Sequence, residues 1–474
     1  MGLYSVIMTD PVIRQLVQER TLVRSFRDAL LEATRLRTIV DEVEFKGDFG
    51  DSSTYSRRGY AKPSAKPLRP GEDANLITGS NEQWDVRPEP YGHSIDSHLP
   101  TSALALASLL MENMITIGTH AGESVARVIR AKAYQAVRRG RTNTIAAVAA
   151  SVTVPVQYLN GFTHARKTDG SAVVYSPVGA SNPLGVWIYD TDSSAYVARN
   201  VVGATPATSG DNFGPGTLTL NAAITCDAAN YEVVSVNAPH IVRSGIGAGL
   251  KFGADPRGIE SIVAGNLFRA SDVKSMVGRL RSTNVKPFAG GLYRGYLNST
   301  SELQLLSDPE MTGLMKEPGQ QHMYRDLAIG ECLGVLWFRA EDLPKIGNTD
   351  TDKEIDPLPF DMVNSGDGIE VHRPMVVGRE FIEEHYIKPS TWIDANLMIS
   401  KKGEFMLSAE GELDISVQNI ACLVRPAMDR LGEKVATTWS YKADIVAGTD
   451  GVDADRGGDP AVIKRAIICD HGVP

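Results

Sequence analysis

Apolar residues recur at helical intervals most clearly between Thr101 and Gly140. They are Leu106, Leu109, Leu110, Met114, Ile117, Val125, Val128, Ile129 and Val137. Arg138-Arg139-Gly140 then supplies a basic last turn and a glycine stop. The pattern predicts one long helix, about 60 Å from end to end at about 1.5 Å per residue. A helix of that length acts as a strut.

Three shorter helices are also predicted. Asp10-Pro11 places a proline at the first position of an N-terminal helix that runs to Leu31. A second helix covers 271–282, with Val273, Met276, Val277 and Leu280 on one face. Ser299 and Glu302 have the spacing of a capping box, which predicts a third helix starting there.

The segment 155–240 has a different texture. It holds nine charged residues in 86 positions, whereas the whole chain is 22% charged. Short β-forming runs alternate with Gly, Asn, Pro and Ser, which predicts a small all-β module. Because it interrupts the surrounding pattern, we interpret it as an insertion, and we expect its excision to cost mainly folding yield.

The stretch YAKPSAKPLRPGED, Tyr60 to Asp73, combines stiffness with positive charge. Its prolines follow Lys62, Lys66 and Arg69 directly. Each residue before a proline is held out of the helical region, so the segment stays extended. We predict that 45–95 forms a long paired ribbon with this segment as its basic tip. Such a ribbon is marginal alone in water and needs a partner surface.

Further along, GLYRGYLN and CLGVLWF are predicted to be strands, while the acidic connection 341–368 is predicted to be a loop. Strand patterns return in the last hundred residues. LDISVQNIACLV and AVIKRAIICD are the clearest of them.

Composition excludes several classes of protein. The chain of 474 residues has 42% hydrophobic content, a net charge of -9 and a pI of about 5.6. That charge argues against tight nucleic-acid binding, since such binding needs a clustered positive face. The four cysteines are widely spaced, which indicates reduced, mostly buried thiols. We find no secretory pattern and no apolar run long enough to span a membrane, and expect a cytosolic chain or one assembled there.

The sequence offers no convincing catalytic constellation, cofactor loop or metal site. Gly245, Gly247 and Gly249 suggest a dinucleotide loop, but Leu250 and Phe252 stand where its third glycine would be needed. The acidic loops 348–356 and 450–459 lack the turn glycine and terminal glutamate of a calcium loop. No histidines share a zinc-binding spacing. We therefore predict a protein without catalytic, cofactor or metal residues, and not an enzyme.

The order of parts resembles the tailed-bacteriophage major capsid proteins of the Hong Kong 97 fold, in the branch typified by the coat of phage N-four. The local likeness lies in ASDVKSMVGRLRSTNVKPFAGGLYRGYLNS, in YRDLAIGECLGVLWFRAEDLP and in RPAMDRLGEKVATTWSYKADIV. The sequence departs from the branch pattern at Lys286-Pro287, at Asn298-Ser299 and at 427–429.

The resemblance implies an α+β fold of Hong Kong 97 type with an inserted all-β domain. Its parts would be an N-terminal arm (1–44), an extended loop (45–99), a spine helix of the peripheral domain (100–141), the inserted β-rich domain (142–245), an axial domain (246–370) and peripheral-domain strands (371–474).

The resemblance further implies a coat protein that assembles into pentamers and hexamers of an icosahedral phage head around double-stranded DNA. Scaffolding, portal and decoration proteins are further possible partners, with assembly in the host cytoplasm and no membrane contact. The loop tip would contact the neighbouring subunit through Lys62, Lys66, Arg69, Arg57 and Arg58.

Three alternatives stay open. A cellular encapsulin-like compartment shares the fold and would carry cargo enzymes instead of DNA. A glycan-binding or hydrolytic protein would use the β module. A portal or tail component would form a ring instead of a closed shell.

Overall fold

The computed structural model describes residues 25–30, 35–45, 52–58, 71, 73, 81–98, 106–169, 172–209, 214–228, 231–245, 262–315, 330–346, 369–388, 419–425, 434–450 and 462–473. The chain forms two compact units. The first contains Met1–Tyr55, Asp85–Lys132 and Ile382–Val446, and the second contains Ser56–Trp84, Ala133–Phe381 and Ala447–Pro474.

Strands and helices both contribute, which confirms the α+β class. The helices are α1 (Leu106–Val137), α2 (Ala270–Ser282), α3 (Ser299–Leu306) and α4 (Pro309–Met315), with a 3-10 turn at Arg35–Ile39. The strands are β1 (Val40–Glu44), β2 (Ser53–Arg58), β3 (Asn81–Val86), β4 (Glu89–His98), β5 (Arg141–Asn143), β6 (Val148–Val156), β7 (His164–Asp169), β8 (Ala172–Pro177), β9 (Leu184–Asp190), β10 (Ala195–Pro206), β11 (Gly216–Cys226), β12 (Glu232–Ser235), β13 (Ile241–Arg243), β14 (Tyr293–Leu297), β15 (Glu331–Cys332), β16 (Val335–Arg339), β17 (Lys345–Ile346), β18 (Glu370–His372), β19 (Met375–Val377), β20 (Ile382–Tyr386), β21 (Ala421–Arg425), β22 (Lys434–Ala447) and β23 (Ala466–Val473).

The long helix is confirmed as α1. It ends where the basic turn begins, and Gly140 adopts a left-handed φ of 76° that a side chain would disfavour. In the first unit, Gly118 lets the short helical segment 25–30 come close. A methyl group at position 118 would stand 2.7 Å from the carbonyl oxygen of Phe26.

The first unit contains a five-stranded sheet in the order β1, β20, β22, β21, with β4 also paired to β22. The β4 pairing is antiparallel and runs from His98 opposite Lys434 to Glu89 opposite Ala443. Residues 89–95, predicted to belong to the ribbon, therefore lie in a sheet of their own chain. The prediction was wrong for this stretch because β22, which completes the pairing, lies more than 300 residues away in sequence.

The second unit contains a six-stranded antiparallel sheet in the order β5, β12, β9, β10, β11, β6. In β9, buried and half-buried residues alternate over all seven positions, so one face carries Leu184, Val186 and Ile188 into an apolar core. The short pair β7 and β8 forms a separate two-stranded sheet. These strands account for the low charge of the segment, because most inward positions are apolar.

An eight-stranded sheet completes the described part of the second unit. Its strands run in the order β15, β16, β14, β19, β23, β18, β17, and β13 also pairs with β23. Helix α2 packs on one face through the four predicted residues Val273, Met276, Val277 and Leu280, all buried. Gly295 on β14 is required there, because a methyl group would overlap the Trp337 ring.

CLGVLWF is a hairpin and not the single strand that the sequence predicts. β15 ends at Cys332, and Leu333 and Gly334 then turn with φ values of 54° and 81° before β16 begins. Glycine adopts this left-handed region at little cost, which lets the chain reverse inside an apolar run.

The predicted capping box at Ser299 is also wrong, because the N-cap of α3 is Asn298. Its side-chain oxygen accepts a hydrogen bond from Ser301 N at 3.0 Å. The Ser299 hydroxyl instead donates to exposed Glu341 at 2.9 Å, and Glu302 pairs with Arg339. Asparagine and serine are comparably favoured N-caps, so the residue types alone do not decide between positions 298 and 299.

We therefore expect Asn298→Ala to lower the free energy of unfolding by about 1–2 kcal/mol, and Ser299→Ala by less than about 0.5 kcal/mol. Urea unfolding of the two variants measures the difference. Equal losses of stability in the two variants would show that Ser299 contributes as much to the cap as Asn298 does.

Several predictions lie outside the described residues. The N-terminal helix is described only at 25–30, where the chain is helical. Most of the loop 341–368, the glycines after Gly245, the acidic loop after Asp450 and the first half of LDISVQNIACLV also lie outside.

Candidate assembly site at the ribbon

The paired strands β2 and β3 form a two-stranded sheet of their own among the described residues. In the first unit, the Thr54 hydroxyl donates to Asp85 Oδ1 at 2.6 Å across the pair. Pairing between 53–58 and 81–86 confirms this part of the predicted ribbon. Lys62, Lys66 and Arg69, the predicted tip, lie outside the described residues.

Arg57 and Arg58, the other two predicted contact residues, lie on β2. Only the backbone of Arg58 is described. The Arg57 guanidinium lies within the second unit, where Nη1 is 3.1 Å from Asp450 Oδ1 and Nη2 donates to the Glu380 carbonyl at 3.1 Å. Its assignment to a contact between subunits stays a prediction.

Arg57 is one member of an ionic group at the base of the ribbon, which we call the root cluster: Arg57, Glu380, Asp450 and Arg465. Arg465 Nε contacts the same Asp450 Oδ1 at 2.7 Å, and its Nη1 contacts Glu380 Oε2 at 2.6 Å. Two arginines thus share two carboxylates. Asp450 is almost fully buried, at 2% exposure, so this pairing is shielded from water.

Two further contacts hold the base of the ribbon to the second unit. The Trp84 ring on β3 lies 5.3 Å from the Arg57 guanidinium carbon. Glu82, also on β3, is buried and accepts a hydrogen bond from the Tyr175 hydroxyl at 3.1 Å. Burial, followed by the Glu82 charge, raises the pKa of Tyr175 above its ordinary value. The base of the ribbon is therefore fixed by charged and aromatic contacts.

A second ionic group lies where the two larger sheets of the second unit meet. This junction cluster consists of Arg138, Arg141, Glu232, Arg243, Arg373 and Asp470, all buried. Glu232 accepts from Arg141 at 3.1 Å and from Arg243 at 2.6 Å, and Asp470 lies 2.9 Å from Arg373 Nε. Arg141 and Glu232 belong to the six-stranded sheet, whereas Arg243 and Asp470 belong to the eight-stranded one.

The junction cluster contains four arginines and two carboxylates, and this excess of positive charge lowers the pKa of groups within it. Burial alone would raise the pKa of Glu232, but Arg243, Arg141 and Arg138 lower it to about 2. Burial, with Arg373 adding to the effect, lowers the pKa of Arg138 to about 9. Glu232 therefore stays ionised at neutral pH and binds the Arg141 and Arg243 guanidinium groups.

The described residues show nothing that would hold a metal ion. No group of three or more His, Cys, Asp or Glu side chains within the described ranges has a suitable arrangement. The cysteines are free, with Cys226, Cys422 and Cys469 buried and Cys332 half-buried, which confirms the expected burial. Where the chain is described, none of its helices combines the length and apolarity of a membrane span.

Comparison with known proteins gives matches among solved structures only. No protein-family model and no curated protein matches the sequence. The capsid of Ralstonia phage GP4 is 8% identical, with a TM-score of 0.47 over 92% of this chain and 87% of that one. The Cyanophage Pam1 capsid is 9% identical, with a TM-score of 0.46 over 92% and 88%. The head of Helicobacter pylori bacteriophage KHP40 is 9% identical, with a TM-score of 0.45 over 91% and 88%.

This chain is similar in structure to phage capsid chains.

Proposed function

We propose that this protein is a major capsid protein that assembles into the shell of a tailed-phage head. The observation that carries the proposal is the ribbon. Its two strands form a sheet of their own in the described part of the chain, while its base is fixed by the root cluster. The structure of the base supports a rigid attachment for an element that needs a second surface.

A two-stranded ribbon is marginally stable by itself in water. The tip sequence adds three X-Pro steps and three positive charges at Lys62, Lys66 and Arg69. A neighbouring copy, whose net charge is -9, offers acidic partners for them. Charge pairing of this kind fixes the register of a contact more than it adds affinity.

Each copy would then place its ribbon on the next, in a heterologous contact that closes into rings. One weak contact to each neighbour becomes strong when many copies make it together. From the resemblance we further propose pentamers and hexamers around double-stranded DNA, assembly in the host cytoplasm and a non-enzymatic role. Scaffolding, portal and decoration proteins are further proposed partners.

Deleting Lys62 to Arg69 is expected to leave a folded, soluble subunit that no longer forms shells. The deleted segment carries the proposed grip and none of the root cluster. Negative-stain microscopy and sedimentation of the expressed protein measure assembly, and circular dichroism measures folding. Shells of normal size from the deleted chain would overturn the proposed grip.

Two further variants separate charge from length. The combined changes Lys62→Gln, Lys66→Gln and Arg69→Gln keep the prolines and remove the charges. They should reduce shell yield, because charge pairing fixes the register of the contact. Lys132→Gln, an exposed lysine on α1, is the matched control and should assemble normally.

The alternatives give different results in the same experiment. Particles that hold cargo enzymes and no DNA indicate an encapsulin-like compartment. Rings of about a dozen copies without shells indicate a portal or tail component. Glycan binding or hydrolysis by the purified full chain, without particles, would point to the β-rich segment as the active part.

A further inference from the structure

The six-stranded sheet carries almost no charge, even on the side that faces solvent. Strands β6, β9, β10 and β11 contain two charged residues, Asp190 and Arg199, in a chain that is 22% charged. Asp190 lies on the same face of β9 as buried Ile188, and Arg199 pairs with buried Val186. Alternation along the strands therefore puts both residues on the face that carries the apolar core, and the opposite face of these four strands has no charged residue.

This uncharged face presents hydroxyl and amide groups. We call it the polar face, and its hydrogen-bonding residues are Thr153, Asn200, Thr205, Thr217, Thr219 and Asn221. The register brings the threonines together, because Thr205 pairs with Thr217 and Thr219 pairs with Thr153. Asn200 and Asn221 adjoin the buried pair Val201 and Leu220, so alternation puts them on the same side as the threonines.

The hydroxyls of the polar face are available to a ligand. Thr153 and Thr205 are exposed, and Thr217 and Thr219 are half-buried. Within the part of the chain that the structure describes, none of these four hydroxyls forms a hydrogen bond with another residue. The partner of Thr219 on β10 is Gly203, which has no side chain to cover it.

The two asparagines of the polar face add an amide donor. Asn221 Oδ1 accepts a hydrogen bond from Asn200 N at 2.9 Å. This bond fixes the orientation of the Asn221 amide, and both asparagine side chains belong to exposed residues. The Asn221 NH2 group is therefore left as a donor for a ligand.

Three aromatic residues border the polar face, with Trp187 and Tyr189 on β9 and Tyr196 on β10. Tyr196 pairs with Tyr189, and their rings meet edge to face with centroids 5.4 Å apart. Tyr189 also stacks on Tyr231 at 4.9 Å, so its ring is held by two neighbours. Ala198, which pairs with Trp187, is exposed and too small to cover the indole ring.

A neutral carbohydrate has the chemical groups that match this surface. Its hydroxyls donate and accept hydrogen bonds, and the C–H face of a sugar ring packs on an aromatic ring. A charged ligand would lose its hydration against a face that offers no opposite charge. A sugar without ionised groups has no such cost.

The polar face is less suited to a protein partner. The core of a protein interface is apolar, whereas threonine and asparagine side chains form the middle of this surface. Among the large apolar side chains that are exposed in the described residues, only Val152 belongs to these four strands. Val152 precedes Thr153, so alternation puts it on the opposite face.

We propose that the polar face and its aromatic border bind a neutral polysaccharide. This activity is additional to shell formation and does not depend on it. Because the face is open to water, one chain should bind weakly, with a Kd on the order of 1 mM. A particle that presents many copies should bind the same polymer about a hundredfold tighter, through avidity.

The test is saturation-transfer difference NMR of the full chain with neutral trisaccharides of glucose, mannose and galactose. Trigalacturonic acid is the charged counterpart of the galactose trisaccharide. Saturation should pass to the ring C–H protons of at least one neutral sugar, and a titration then gives its Kd. Trigalacturonic acid should receive none. If no neutral sugar receives saturation, the proposal is wrong.

Variants locate the binding on the polar face. Thr205→Val, Thr217→Val and Thr219→Val together keep the β-branched shape and remove three hydroxyls, which should raise the Kd about tenfold or more. Trp187→Ala should also raise it, because a stacking surface is lost.

Thr116→Val is the matched control, because Thr116 is exposed on α1 in the first unit. It should leave the Kd unchanged. Should the threefold variant not fold, Thr205→Val alone, at an exposed position, should still raise the Kd about threefold. The same Kd in wild type and in the polar-face variants would overturn the proposal.

Microscopy of the same variants separates this inference from the proposed function. Polar-face variants that form normal shells and have lost sugar binding support it. Variants that lose shell formation but keep sugar binding show a contact between copies and overturn it. Wild-type protein that binds sugar through this face but forms no shell would support the polar face and contradict the capsid function.

Discussion

Changing Glu232 to glutamine is expected to lower the free energy of unfolding of the second unit by about 3–5 kcal/mol, because it leaves buried guanidinium groups without their carboxylate. Glu232 is 2% exposed and accepts from both Arg141 and Arg243. Glutamine preserves the shape of the side chain and removes only its charge. The loss therefore reports the ionic contacts and not a cavity.

Hydrogen exchange in a urea series measures this loss locally, through the amides of β9 and β12. These strands pair directly, with Val233 opposite Ile188. Glu310→Gln is the matched control, because the Glu310 side chain is 47% exposed and pairs with an equally exposed lysine. An exposed pair contributes less than about 1 kcal/mol. If both glutamines cost the same, the junction cluster does not stabilise the unit.

The prediction also bears on the segment 155–240. Its excision would remove Glu232 and leave Arg141 and Arg243 in place. From sequence we expect excision to cost mainly folding yield, and the junction cluster gives that cost a physical source. A shortened chain that also carries Arg141→Met and Arg243→Met should recover part of the yield, because apolar residues of similar volume replace buried ions at little cost.

The elements that sequence predicted well are those with local signals. The apolar spacing of α1 and α2, the glycine stop at Gly140 and the strand Tyr293–Leu297 are all written within a few residues. The predictions failed where the local structure depends on a strand far away in sequence or on a backbone angle. The β4 pairing depends on β22, and the turn at Leu333 and Gly334 depends on φ values that an apolar run does not signal.

The candidate site divides in the same way. Proline spacing and charge pick out Lys62, Lys66 and Arg69 from the sequence alone. The root cluster could not be found so, because Arg57, Glu380 and Asp450 are separated by more than 60 residues at every step and no motif links them. The same is true of Arg141, Glu232 and Asp470. A charged residue within an apolar strand pattern, such as Asp470 in AIICD, was the one signal available.

The second large effect is a loss of stability at low pH, which we expect His471 to cause. This histidine is fully buried on β23, with Nε2 2.7 Å from the Ser301 hydroxyl and its ring 5.7 Å from that of His372. Burial, with the nearby His372 adding to the effect, lowers the pKa of His471 from 6.5 to about 3. The folded chain therefore keeps this ring neutral where the unfolded chain protonates it.

Because the folded pKa lies below the unfolded one, the unfolded state binds the extra proton between pH 6.5 and about 3. Stability is thus fully present above pH 6.5 and falls as the pH is lowered through that window. The total loss is on the order of 5 kcal/mol, since one pKa unit corresponds to about 1.4 kcal/mol.

Urea midpoints at pH 7 and pH 5 isolate His471 from the junction cluster, because the pKa of Glu232 shifts from 4.5 to about 2 and its window opens only below that range. His471→Asn should be less stable than wild type at pH 7 but should lose much less stability between pH 7 and pH 5. His164→Asn, at an exposed position on β7, should keep the wild-type pH dependence. If the His471 variant follows the wild-type curve, another group sets the acid sensitivity of the second unit.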